Sequence, residues 1–333
     1  MGRKQNILVV GAGFSGSVIA RELAEAGHTI TVIDQRPHIG GNCFDYDVNG
    51  VRVHKYGPHL FHTNNIKVVE WLSQFTEWVE YKHKVKVYYQ DTFLTLPPNK
   101  QTQDILKDKL IDVIYKPYTL KMWGTLDIHD DILNRVKVRD DDNEYYFPND
   151  QYQMLPKDGY TSIFNKILDH NNITLSTDTA FDKSMENRYD HVFNSMPIDQ
   201  YYDYRYGELP YRSIKFHNKT SNTFTMPTPV VNFTDNDIYT RVTKWDMFPN
   251  HGTGELYTLE EPCDYKDNNM ERYYPVKDVD GLNKVVYNRY KDNKNKKVTF
   301  IGRCGLYVYL DMDMAVASAL AITKKYLYDQ SRK

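Results

Sequence analysis

Ile7-Leu8-Val9-Val10 is an unbroken apolar run. A strand buried on both faces of a parallel sheet reads this way, whereas a half-exposed strand alternates. Directly behind it the period changes. Val18, Ile19 and Leu23 share one face of a helical repeat, which predicts a helix from Phe14 to Ala26, closed by Gly27. Thr29 to Ile33 is the second strand, with Asp34 at its end. A helix is expected over 65–75. Strands are expected over 84–96, where Val85, Val87 and Tyr89 alternate ahead of the Leu96-Pro97-Pro98-Asn99 break. Ile105, Leu106, Leu110, Val113 and Ile114 give Gln101 to Ile114 a helical period. Residues 140–151 are acidic and turn-rich and read as a surface loop. Gly159 to Leu168 predicts a helix, and Ile173 to Leu175 and His191 to Phe193 predict short strands. Several β-like runs cross 211–260, among them 229–234 and 238–243, and polar loops are expected at 266–272 and 291–297. Lys297 to Ile301 is the last strand, and Met312 to Tyr328 an alanine-rich helix.

This order predicts an α/β chain: a Rossmann-like dinucleotide domain with an inserted helical domain and an inserted antiparallel β-sheet domain. The expected boundaries are 1–78 for the first part of the dinucleotide domain and 79–99 for the first part of the sheet domain. Residues 100–145 form the helical insertion with a mobile loop, and 146–185 a connection. The dinucleotide domain resumes over 186–210, the sheet substrate domain spans 211–296, and 297–333 supplies the closing strand and helix.

Composition narrows the function. The 333 residues carry 42 basic and 44 acidic side chains, so no charge excess draws the chain to nucleic acid or to a membrane surface. Cys43, Cys263 and Cys304 are far apart and odd in number, which argues against disulfides and zinc. With no leader-like or spanning apolar segment, a reducing cytoplasmic setting is expected. The 28 tyrosines predict either an aromatic core or a cleft lined by ring-and-hydroxyl groups, which suit sugars and bases.

Gly11-Ala12-Gly13-Phe14-Ser15-Gly16 stands between a strand and a helix, with Asp34 following the next strand. In that setting the glycines permit a tight turn, a close pyrophosphate and close helix packing, and the acid accepts from a ribose hydroxyl. Gly40-Gly41-Asn42 adds the second glycine pair typical of FAD-type domains. Val53 to Thr63 then gathers His54, His59 and His62. Their spacing across Gly57-Pro58 does not suit a metal, which leaves core histidines or groups beside a flavin. Tyr118 and Trp123 offer either core packing or a stacking platform for a base. Arg139, Arg241 and Arg303 lie in separate segments, and arginine forks suit a diphosphate.

These residues, taken together, resemble the bacterial UDP-galactopyranose mutases, which are FAD-dependent isomerases. The resemblance rests on VHKYGPHLFHT, TLPPN, PYTLKMWG, VKVR, PIDQYYDYRYGELPYRSIKF, NFTD with YTR, YYPV, and GR followed by YLDM, in the same order along the chain. It implies that N5 of reduced flavin attacks the anomeric carbon of galactose as UDP leaves, with ring opening, reclosure and no net redox. It implies catalytic roles for Arg139, Arg303 and His62. It implies that His59, Tyr118, Trp123, Tyr152, Asn232, Arg241, Tyr274, Tyr309 and Asp311 bind UDP-galactose. It implies that Gly11, Gly13, Phe14, Ser15, Gly16, Asp34, Gly41, Asn42, His54, Arg303, Asp311 and Met312 bind FAD. A reductant, NAD(P)H or a reductase, is implied as a partner.

The chain departs from the family at a shortened segment over 99–115, where bacterial members build part of their dimer, so a homo-oligomer stays open. It also departs at His83, at Cys304-Gly305 and at Leu310. Two alternatives remain beside the mutase: an amine-oxidase-like FAD oxidoreductase, and a non-catalytic nucleotide-sugar binding protein.

Overall fold

The computed structural model describes residues 3–126, 139–276, 278, 280–293 and 295–332. Val136-Lys137-Val138, quoted above for the resemblance, lie outside the described residues. Five strands form one wholly parallel sheet: β1 (Asn6–Val10), β2 (Thr29–Ile33), β10 (Ile173–Ser176), β11 (His191–Asn194) and β17 (Val298–Phe300). Their order is β10-β2-β1-β11-β17. The central strand shows why its apolar run is unbroken. Ile7 and Val9 pack on one face with Val18, Leu23 and Phe164, while Leu8 and Val10 pack on the other with Ile33, Val192 and Tyr201.

Helix α1 (Phe14–Glu25) covers the first face and packs against both α5 (Tyr160–Leu168) and α9 (Met312–Ser331). The fold is therefore a Rossmann-like unit closed by its most distant segments. Residues 146–185 do more than connect, because β10 lies inside them and pairs Ile173 with Ile30 at the sheet edge.

The second sheet contains β7 (Val85–Tyr89), β8 (Thr92–Leu96), β12 (Tyr211–Thr220), β13 (Val230–Phe233), β14 (Arg241–Lys244), β15 (Leu256–Asp264) and β16 (Tyr274–Pro275). The order is β16-β12-β15-β14-β13-β7-β8. The expected antiparallel sheet is in fact mixed: β13 runs parallel to β7, pairing Val230 with Val85 and Asn232 with Val87. No hairpin joins these two strands, so nothing in the connection forces opposite directions. A hairpin of β3 (Asp45–Val48) and β4 (Val51–His54) lies between the sheets in sequence. A small sheet orders β5 (Phe61–Thr63), β9 (Tyr152–Pro156) and β6 (Trp78–Glu80) as β5-β9-β6. The expected boundary at residue 78 falls inside β6.

Helix α2 (Ile66–Leu72) follows β5 and is capped by the Asn65 side chain, which accepts from Lys67 N at 3.2 Å. The helical insertion holds α3 (Lys100–Leu106), capped by Asn99 Oδ1 accepting from Thr102 N at 3.0 Å. A single π turn over Ile111–Tyr115 leads into α4 (Lys116–Trp123), which ends at Gly124 with φ +72°. Such turns break the regular ladder and re-aim the side chains that follow.

Helix α6 (Ile198–Tyr201) follows β11, and α8 (Gly302–Gly305) follows β17. Helix α7 (Leu282–Lys291) is the longest element the pattern did not predict; the short strands β3 to β6 and β9 and the short helices α6 and α8 were also not foreseen. Helix α7 is rich in Lys and Asn, and Tyr290 is its one fully buried side chain, so its polar stretch resembled a loop. No helix among the described residues is long and apolar enough to cross a membrane.

Candidate active site

A cavity of about 1160 Å³ is lined from both large sheets. Its first end lies at the carboxyl ends of the parallel strands, where Val10, Asp34, Ser195 and Gly302 line it. Open α/β sheets bind ligands at this edge. The N–H groups of Phe14, Ser15 and Gly16 open α1 and have no intrahelical acceptor. Ser17 N is the first to find one, Gly13 O at 2.9 Å. These free donors, with the positive end of the helix dipole, suit a phosphate.

The glycines are required sterically. A Cβ on Gly16 would lie 1.9 Å from Gly11 O, so only glycine lets α1 close on the turn. A Cβ on Gly41 would lie 3.0 Å from Gly13 Cα, so the two glycine segments form one bare backbone cradle. Asp34 Oδ2 accepts from Ala12 N at 2.8 Å and Oδ1 accepts from Arg36 N at 2.9 Å. The acid thus braces the turn, and a carboxylate keeps further lone pairs for a ribose. A dinucleotide pyrophosphate fits this arrangement.

The other end is built by side chains. On the large sheet, one cross-strand row holds Asn232, Arg241 and Glu260. Arg241 donates through Nε and Nη2 to Glu260 Oε1 and Oε2 at 2.9 and 2.8 Å. Glu260 is buried, so the pair is close to neutral as a unit. Asn232 Oδ1 is buried with no hydrogen-bond partner among the described residues.

Arg303 is different. Its Nη1 donates to Tyr273 O at 3.0 Å and its Nη2 to Leu310 O at 2.8 Å. Among the described residues no carboxylate pairs with it. Its guanidinium carbon lies 4.8 Å from the Tyr309 ring centroid and 5.5 Å from that of Tyr274. Those two rings stack at 5.7 Å. A half-buried cation flanked by phenols and left without a counter-charge among the described residues suits an anion.

The imidazoles between the two ends are sorted by burial. His59 donates from Nδ1 to Gly57 O at 2.9 Å in its neutral form, and burial pushes its pKa down to about 4. His83 lies on the wall against Phe248, with its pKa pushed down to about 3 by burial and by the nearby cations. His62 also lines the cavity.

Most of the expected site residues come together here. Gly11, Gly13, Phe14, Ser15, Gly16, Asp34, Gly41 and Asn42 line the first end. His59, His62, Tyr118, Trp123, Asn232, Arg241, Tyr274, Arg303, Tyr309, Asp311 and Met312 line the rest. Three do not line it. His54 is buried behind the wall: its Nδ1 accepts from His59 N at 3.0 Å and its Nε2 meets His251 Nε2 at 3.1 Å, so neither nitrogen is left for a cofactor. Tyr152 sits on β9 opposite Thr63, away from the cavity. Arg139 turns its guanidinium to Asn143 O at 3.2 Å and Pro97 O at 3.5 Å.

Other residues went unanticipated. Glu260 and the aromatic pair Tyr146 and Phe147 stand in the site or directly behind it. The loop reading of 140–151 hid the two rings. Its acidity is partly cancelled, because Glu144 pairs with Lys84 at 2.9 Å and with Lys86 at 2.5 Å.

Fold and site together define an α/β protein in which a dinucleotide-type glycine cradle faces a second sheet across one cavity. Residues 9–75 match the NAD(P)-binding Rossmann-like domain, and residues 113–309 match the UDP-galactopyranose mutase family. A probable UDP-galactopyranose mutase of Klebsiella pneumoniae is 33% identical over 97% of this chain and 95% of its own. A dTDP-fucopyranose mutase of Escherichia coli is 32% identical over 96% and 98%. A solved structure of reduced UDP-galactopyranose mutase superposes with a TM-score of 0.70 at 14% identity, covering 98% of this chain and 94% of that one. The chain belongs to the UDP-galactopyranose mutase family, and with it to the isomerases.

Proposed function

We propose that the protein interconverts UDP-galactopyranose and UDP-galactofuranose on bound, reduced FAD, with no net redox. The observation that carries this reading is Arg303, a half-buried cation with no carboxylate partner among the described residues, facing the same cavity as the glycine cradle. The cavity thus asks for two phosphate-bearing ligands, one at each end.

The backbone of Gly11 to Gly16 with Gly41 and Asn42 would hold the FAD pyrophosphate, and Asp34 the ribose. Asp311 and Met312, at the start of α9, would complete the cofactor site. Reduced flavin, when bound, supplies the electron-rich nitrogen that lets the anomeric carbon part from the diphosphate. The protein's own side chains do the rest. Tyr118 and Trp123 stack on the uracil. Arg303, Tyr274 and Tyr309 receive the negative charge that grows on the departing diphosphate. Asn232 and Arg241 orient the sugar, with His59 beside it as a neutral imidazole. Arg139 joins the diphosphate by leaving the Asn143 carbonyl.

The test is direct. The yellow protein is reduced with dithionite and given UDP-galactofuranose, and UDP-galactopyranose is sought. Conversion after reduction and none before it is the expected result. Oxygen consumption with an amine would favour an oxidoreductase, and UDP binding without turnover a binding protein. The Escherichia coli relative adds dTDP-fucose as a second substrate for the same assay.

A further inference from the structure

His62 is held differently from the other imidazoles at the cavity. His59 bonds through Nδ1 to a backbone carbonyl and His83 to the Tyr81 hydroxyl, both neutral groups. His62 Nδ1 instead lies 2.7 Å from Asp150 Oδ2. An ionised carboxylate offers only lone pairs, so the proton of this bond sits on Nδ1. The His62 ring lies flat on Phe147, with centroids 3.6 Å apart and planes 14° apart, which fixes its rotamer.

Asp150 is itself fixed. Its Oδ1 accepts from Asn64 Nδ2 at 3.1 Å, and the same amide reaches Asn149 O at 3.2 Å. Asn64 Oδ1 accepts from Gln151 N at 2.8 Å. Asn64 therefore clips the whole 149–151 turn to the end of β5. Nothing in the turn's packing needs a carboxylate at 150. What the carboxylate does do is settle which nitrogen of His62 bears the proton, leaving Nε2 as the nitrogen offered to the cavity.

We propose that Asp150 is a positioning residue: it locks His62 in one tautomer and orientation, so that Nε2 meets a hydroxyl of the bound sugar and handles its proton. The inference rests on the mutase reading above. When a six-membered galactose ring becomes five-membered, O4 gives up one proton and O5 gains one. No electron is lost or gained in that exchange, and one imidazole that accepts and returns a proton at a single nitrogen serves both oxygens. His59 and His83 are less suited, because burial holds them neutral well below neutral pH.

The test uses FAD-loaded protein labelled with ¹⁵N-histidine. Long-range ¹H–¹⁵N correlations report each ring's tautomer, and a His62→Asn variant assigns His62. The wild type is expected to show the Nδ1–H form, and Asp150→Asn to lose it. In the same variant kcat should fall about 10²-fold while KM and UDP affinity stay within about threefold. Asp150→Glu should restore the tautomer and part of the rate. Asn64→Ala, which frees the clip and removes one donor to Asp150 Oδ1 but keeps the carboxylate itself, should broaden the same resonance.

A wild-type Nε2–H form overturns the proposal, as does an Asp150→Asn enzyme with kcat within about twofold of wild type. If the wild type itself converts no sugar, the mutase reading fails instead, and the tautomer spectrum still decides what Asp150 does.

Discussion

The two ends of the cavity are made of different material. The cradle at the parallel sheet is backbone, taken from Gly11 to Gly16 and from Gly40 and Gly41. The far end is side chain, drawn from α4, β13, β14, β16, α8 and the segment after it. A backbone site fails sterically and all at once. A side-chain site can lose one function and keep its shape.

The sharpest way to break this contrast is at the cradle. Gly16→Val puts a branched side chain where even a Cβ meets a carbonyl oxygen. It should cost more than about 4 kcal/mol and abolish FAD binding, measured by denaturant midpoint and by the yellow colour. A folded, yellow variant would show that α1 can retreat from the turn.

At the far end, Arg303→Ala should cut turnover by about 10²–10³-fold or more while FAD stays bound, read by single-turnover kinetics and absorbance. A colourless variant would move Arg303 into the cradle's account. Glu260→Gln leaves Arg241 without its counter-charge in a buried setting. It should destabilise by about 3–5 kcal/mol in urea unfolding, and added UDP-sugar should recover part of that.

The pH dependence distinguishes the two ends further. His59 and His83 stay neutral in the folded protein down to about 4 and about 3. Their unfolded forms take up a proton near pH 6.5. Below that pH the unfolded state binds protons that the folded state refuses, so stability falls as pH drops from about 6.5 to about 4. The loss due to His59 alone is ~3 kcal/mol by linkage. His83→Gln should flatten the acid limb of a plot of urea midpoint against pH. The smallest effect is expected at Tyr152, which is turned from the cavity: Tyr152→Phe should keep kcat/KM within about twofold.

The same contrast explains how far the sequence could be read. The cradle was legible because its chemistry is local: an apolar run, three glycines and an acid within one βαβ unit. The far end was legible where a residue type is rare in its setting, as with Arg303 after a buried strand. It was not legible where function depends on pairing. Glu260 sits beside Glu261 in a strand and reads as a solvated face until Arg241 is seen across the ladder. Tyr146 and Phe147 follow an acidic stretch that reads as loop, so the neighbouring Tyr152 drew the assignment instead. His54 belongs to the same histidine-rich stretch as His59, and only the bond to His251, from the distant turn before β15, shows that it faces inward. The sheet's mixed sense is invisible for a like reason: β7 and β13 are separated by the whole helical insertion and part of the dinucleotide unit.

The route of the chain also governs when the cradle can exist. Helix α1 leaves the ribosome long before α9, which lies along it, and before β17, at the sheet's far edge. Until then the part of α1 that α9 covers stays open, and a nascent chain must keep it from strangers. Cofactor capture therefore waits for α9 and β17, and slow translation of the stretch that carries them would lengthen the interval in which the chain depends on chaperones.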